Sequence, residues 1–120
     1  MASTGIAMRV CLIRKRITLS HYVIKSLGNP THLGFWYDES HGSLTFSPAV
    51  KDDMDAFEIP QYFWNGTKKS CVIARIAFLL ALKYRVGWEE GSRYAYSGAL
   101  EKSGDIPIVV FSLTEGIRLK

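Results

Sequence analysis

The chain has 120 residues, 48% of them hydrophobic and 22% charged, with a formal net charge of +4. That length admits one compact domain or two very small ones and excludes a large multidomain enzyme. The balance of apolar and charged residues excludes disorder of the whole chain.

In chain order, residues 9–19 (RVCLIRKRITL) set β-branched and aliphatic residues around a basic triplet. This predicts one strand, or two short strands with the charges between them. Ser20 stands at an N-cap position, where its hydroxyl is expected to accept from a first-turn N–H. Residues 21–27 (HYVIKSL) then form a short helix, with Val23, Ile24 and Leu27 on one face. Gly28 ends it and Pro30 prevents its continuation. Residues 32–38 (HLGFWYD) have strand composition, and 43–47 (SLTFS) alternate polar and apolar. With the turn Glu39-Ser40-His41-Gly42 between them they predict a β-hairpin.

Residues 48–56 are polar and acidic and read as a linker. Residues 57–64 (FEIPQYFW) are an aromatic segment broken by Pro60, and Asn65-Gly66 is a turn signal. With Thr67 that turn matches a glycosylation acceptor, which without a signal peptide reduces to a surface turn. Residues 69–84 carry the strongest helical signal, although Cys71-Val72-Ile73 reads equally as a short strand feeding the helix. Ile76, Leu79, Leu80 and Lys83 form one stripe. Ala77, Phe78 and Leu82 widen it, so this helix is expected to be buried on more than one side. Gly87 terminates it. Residues 92–100 read as a strand with Tyr94 and Tyr96 on one face. Ser103-Gly104-Asp105 is a turn, and 106–113 (IPIVVFSL) a buried strand with Pro107 at its beginning or on an edge.

The order strand, helix, hairpin thus occurs twice. Leu19-Ser20 aligns with Ile73-Ala74 and Leu27-Gly28 with Val86-Gly87. Either an internal repeat or the chance recurrence of a common unit accounts for this. The division is into an N-terminal unit, 1–50, and a second unit or oligomerisation region, 57–120.

Charge is distributed as basic, acidic, basic. Arg9, Arg14, Lys15, Arg16 and Lys25 fall in the first 25 residues with no acid among them. A localised basic N-terminus suits a polyanion, nucleic acid being the commonest, or else is a solvated face. Cys11 and Cys71 sit among aliphatic residues and read as buried hydrophobes. No signal peptide or membrane-length apolar run is visible, so a soluble, cytoplasmic protein in a reducing compartment is expected.

The ordered set Arg16-Ile17-Thr18-Leu19-Ser20, a short helix closing in Leu27-Gly28, and the hairpin 33–47 resembles the DNA-binding domain of the AbrB-like transcription regulators (the SpoVT/AbrB and MraZ-related group). The opening Ser3-Thr4-Gly5-Ile6 and Val10 resemble the start of that domain. The resemblance covers residues 3–48. Ser20 replaces the family's proline before the helix. Ile24 and Lys25 stand where the family carries two adjacent arginines, so one base is kept and one lost. Arg16 matches the family's strand arginine and Arg9 its first basic residue.

The resemblance implies an α+β swapped-hairpin β-barrel in which two units of about fifty residues interlace, because one alone buries too little surface. It implies double-stranded DNA as partner, Arg9, Arg14, Lys15, Arg16 and Lys25 as contacts, and a homodimer or tetramer. The expected function is that of a DNA-binding transcriptional regulator. The alternative is an interaction or oligomerisation module of the same fold. Enzymatic chemistry is not expected. His21, His32 and His41 lack metal-ligand spacing, and Gly34, Gly42 and Gly98 are isolated rather than part of a phosphate loop. Asp52, Asp53 and Asp55 lack calcium-loop spacing. No metal, cofactor or small-molecule substrate is therefore expected.

Overall fold

A computed structural model describes residues 5–66 and 70–119. Ser3 and Thr4 of the resemblance, Thr67 of the acceptor motif and Lys69 at the start of the predicted helix fall outside them. The protein is mostly β: eight antiparallel strands form a nearly closed barrel, with three short helices. β1 (Ala7–Cys11) and β2 (Arg16–Ser20) are followed by α1 (His21–Ser26), β3 (His32–Asp38), β4 (Ser43–Ala49), β5 (Phe57–Glu58) and α2 (Gln61–Trp64). Then come β6 (Ser70–Ile73), α3 (Ile76–Val86), β7 (Arg93–Ser103), β8 (Ile106–Ser112) and β9 (Ile117–Leu119). The barrel order is β5-β3-β4-β8-β7-β1-β2-β6, with β9 added to β7.

Period-2 alternation builds the interior. Met8 and Val10 of β1, Ile17 and Leu19 of β2, and Cys71 and Ile73 of β6 all point into the core. So do Leu44 and Phe46 of β4 and Val109 and Phe111 of β8. Phe46 and Phe111 meet edge-on with centroids 5.9 Å apart, a favoured aromatic geometry. α1 contributes Val23 and Ile24, with Leu27 buried at its C-cap, and packs on β2 and β8.

One chain supplies every strand, which corrects the expectation of hairpins swapped between two chains. The reason lies in the second half. β6 pairs with β2, β7 with β1 and β8 with β4, so residues after 57 provide the partners that a second molecule would otherwise bring. The pairing is also self-consistent under exchange of the halves. Ile17 lies opposite Ile73 and Leu19 opposite Cys71. If Ile17 corresponds to Cys71 and Leu19 to Ile73, exchange returns the same two pairs. Leu44 opposite Phe111 and Phe46 opposite Val109 behave likewise. β3 lies between β4 and β5, and β7 lies between β8 and β1 in the same way.

Three local expectations change. Ser20 occupies the N-cap position but makes no cap bond. Its hydroxyl donates to the Gly5 carbonyl at 2.6 Å and accepts from the Ala7 amide at 3.1 Å, holding the start of β1 instead. The predicted helix 69–84 gives way to its alternative, a short strand feeding a helix: Cys71 and Ile73 are drawn into a ladder with β2 as β6, and α3 starts at Ile76. α3 is buried along Leu79 and Leu82 only, leaving Ile76 and Leu80 exposed. Gly28 and Gly87 end α1 and α3 at φ 84° and 86°, as their positions demanded.

Candidate nucleic-acid interface

The outer face of β1, β2 and β7 carries the charge that the inner face cannot. Directly paired residues share a face. Cys11 lies opposite Arg16 on one side and Arg93 on the other, so the three form one rung. Arg9 lies opposite Thr18 and Ala95 in the next outward rung. At ordinary sheet spacing, Arg16 and Arg93 stand roughly 10 Å apart across β1, with Arg9 about 7 Å along it. The β1–β2 turn adds Arg14, and Leu119 of β9 closes one rim. These residues line an open groove of about 640 Å³.

Among the described residues, no acid lines this groove. Arg9, Arg14 and Arg16 make no ion pair with a described residue. The neighbouring Arg118 differs. It sits at the alternate position of β9, bonds Ser92 Oγ at 2.9 Å and pairs with Glu89 at 3.0 Å. Clustered guanidinium groups make a concave positive potential, which attracts anions. Arginine also offers a planar donor fork to phosphate or to a guanine edge.

Of the five residues expected from sequence, Arg9, Arg14 and Arg16 come together here. Lys15 and Lys25 do not line the groove. Lys15 sits in the turn with φ 54° and adds to the positive field that, after the Lys83 hydrogen bond, holds the Glu90 carboxyl below its usual range. Lys25 is exposed on α1, beyond the Ser20 end of β2. Arg93 was missed. Its signal was present, since inward Tyr94 and Tyr96 leave Arg93 and Ala95 facing out. Only the β1–β7 register shows that it meets Cys11.

The remaining polar groups have local roles. Hydrogen bonds from Ser40 and then from His41 Nδ1, 2.7 Å away, hold the Asp38 carboxyl below the usual range. No group of three metal-ligating side chains occurs among the described residues. Cys71 is buried and its thiol is pushed up to about 11 by desolvation. Cys11 is only partly buried, at the floor of the groove, so the expectation of two core thiols holds for Cys71 alone. No helix among the described residues is long and apolar enough to cross a membrane. Neither family models, nor curated proteins, nor solved structures give any match to this chain.

Proposed function

We propose that this protein is a double-stranded DNA-binding transcriptional regulator, acting as a dimer or higher oligomer through the arginine groove of β1, β2 and β7. The observation that carries the reading is the convergence of Arg9, Arg14, Arg16 and Arg93 on one concave face. Phosphates supply most of the affinity there, and Arg16 is the first choice for base readout. Among the described residues none that lines the groove is aromatic, which favours a duplex over a single strand, since single strands are held by stacking. The exchange symmetry of strand pairing supports reading the chain as two diverged AbrB-like units joined end to end.

The test is binding of a mixed-sequence duplex to the full chain across a salt titration. The expected result is a steep fall of affinity with salt, each neutralised phosphate contributing about −0.9 to the log–log slope. Arg16→Ala should weaken binding several-fold in a folded protein. Absence of binding at low salt, with the fold intact, overturns the reading.

A further inference from the structure

We infer that Ile13, in the β1–β2 turn, is an apolar wedge that enters the minor groove of a bound duplex, unstacks one base step and kinks the DNA. This rests on the duplex reading of the arginine groove and adds how that groove engages the helix. Val10, Ile13 and Leu119 are the large aliphatic side chains that line the groove among the described residues. Val10 is buried and Leu119 half-buried, but Ile13 is 65% exposed. A single exposed isoleucine is ordinary on a protein surface. This one lies in a groove lined by four arginines and is followed directly by Arg14, Lys15 and Arg16. It therefore stands where a nucleic acid meets the protein.

The turn holds that side chain in place. Cys11 and Arg16 are the last pair of the β1–β2 ladder, so residues 12–15 make the connection. Leu12, immediately before Ile13, is buried and anchors the turn in the core. Its amide donates to the Ser92 carbonyl at 2.9 Å. The neighbouring strands β6, β2, β1 and β7 span about 14 Å at ordinary sheet spacing, more than the roughly 12 Å width of a major groove. The sheet therefore lies across the phosphate backbones, and the bases are reached from its turn end. A minor groove about 6 Å wide admits a side chain from such a turn, though not a strand pair with its side chains. Isoleucine is among the residues that open base steps there, and the negative potential of a narrow minor groove favours Arg14 beside it. Arg9 and Arg93, set back in the sheet, meet the flanking phosphates, and those contacts offset the cost of unstacking.

Energy transfer between dyes at the two ends of a mixed-sequence duplex of about 25 base pairs reads the bend. Anisotropy of the same sample reads saturation. With the full chain saturating the duplex at low salt, transfer should rise above that of free DNA, as for a kink of about 20–90°. Ile13→Ser should still saturate the duplex but leave transfer at the value of free DNA. Ile13→Met, which keeps an apolar wedge, should keep the bend. Both variants should melt as the wild type does, because the position is exposed. A saturated duplex that stays straight overturns the inference. So does an Ile13→Ser protein that bends DNA like the wild type, or an Ile13→Met protein that does not bend it. Unchanged anisotropy at low salt is a different failure: it removes the duplex reading itself, and the wedge with it.

Discussion

The Trp88 indole N–H ends on the Tyr96 hydroxyl at 2.6 Å, and both side chains are buried. Desolvation pushes the Tyr96 phenol above its ordinary value, against the weaker opposing pull of that bond. Tyr96→Phe keeps the ring and removes the acceptor, leaving a buried donor unpaired. It is expected to cost about 1–3 kcal/mol in urea unfolding. Cys71 gives a second prediction at this scale. Its ordinary value is 9.0 and burial raises it to about 11, so the folded chain holds the thiol proton to higher pH than the unfolded chain does. Stability from this group is intact below pH 9 and declines as pH rises towards 11. In Cys71→Ala that decline is absent, so the stability gap between wild type and variant narrows across this window. Chemical denaturation at pH 8, 9, 10 and 11 measures it, and a pH-independent gap would falsify the assignment.

At the scale of elements, the weakest point is the seam between β5 and β6, the two ends of the barrel order. Side chains bridge what backbone pairing does not. The Val72 amide donates to the Tyr62 hydroxyl at 3.0 Å, and Arg75 donates to the Asp55 and Ala56 carbonyls at 3.2 and 3.1 Å. The Arg75 guanidinium also lies over the Phe35 and Phe57 rings. Tyr62→Phe should therefore accelerate hydrogen exchange at the Val72 amide, leaving the β2–β6 ladder amides protected; equal rates at Val72 in both proteins would refute the bridging role. The seam was illegible in sequence because it depends on side chains reaching backbone across ten and twenty residues. The hairpin of β3 and β4 was legible because its alternation and turn are local. β6 was legible only as an alternative to the start of a helix, since it is pairing with β2 that settles Ser70–Ile73 as a strand. β9 was missed for the same reason: three residues make a strand only as an addition to β7. Arg9 and Arg16 could be read as outward positions from local alternation, whereas placing Arg93 beside them requires a pairing that spans most of the chain.

Over the whole molecule, strand closure decides which charges act together. A list of bases drawn from the N-terminal sequence contains Lys25 and omits Arg93. The folded barrel brings Arg93 to the rung of Cys11 and Arg16 and keeps Lys25 on α1. The two residues carry the same unit charge, so a protein that attracts DNA only through net charge would lose equally from either. A protein that seats a phosphate backbone in the groove would not. If the duplex reading is right, Arg93→Ala should weaken binding several-fold and reduce the magnitude of the log–log salt slope by about 0.9, the value of one phosphate contact. Lys25→Ala should leave the slope unchanged and lower affinity only slightly at low salt, where screening extends to about 30 Å at 0.01 M. Arg16→Ala with Arg93→Ala should remove about two contacts. Anisotropy titrations of the three variants at four salt concentrations separate these cases. Equal slopes for Arg93→Ala and Lys25→Ala would mean that charge is sensed over the whole surface, and that the groove does not hold the duplex.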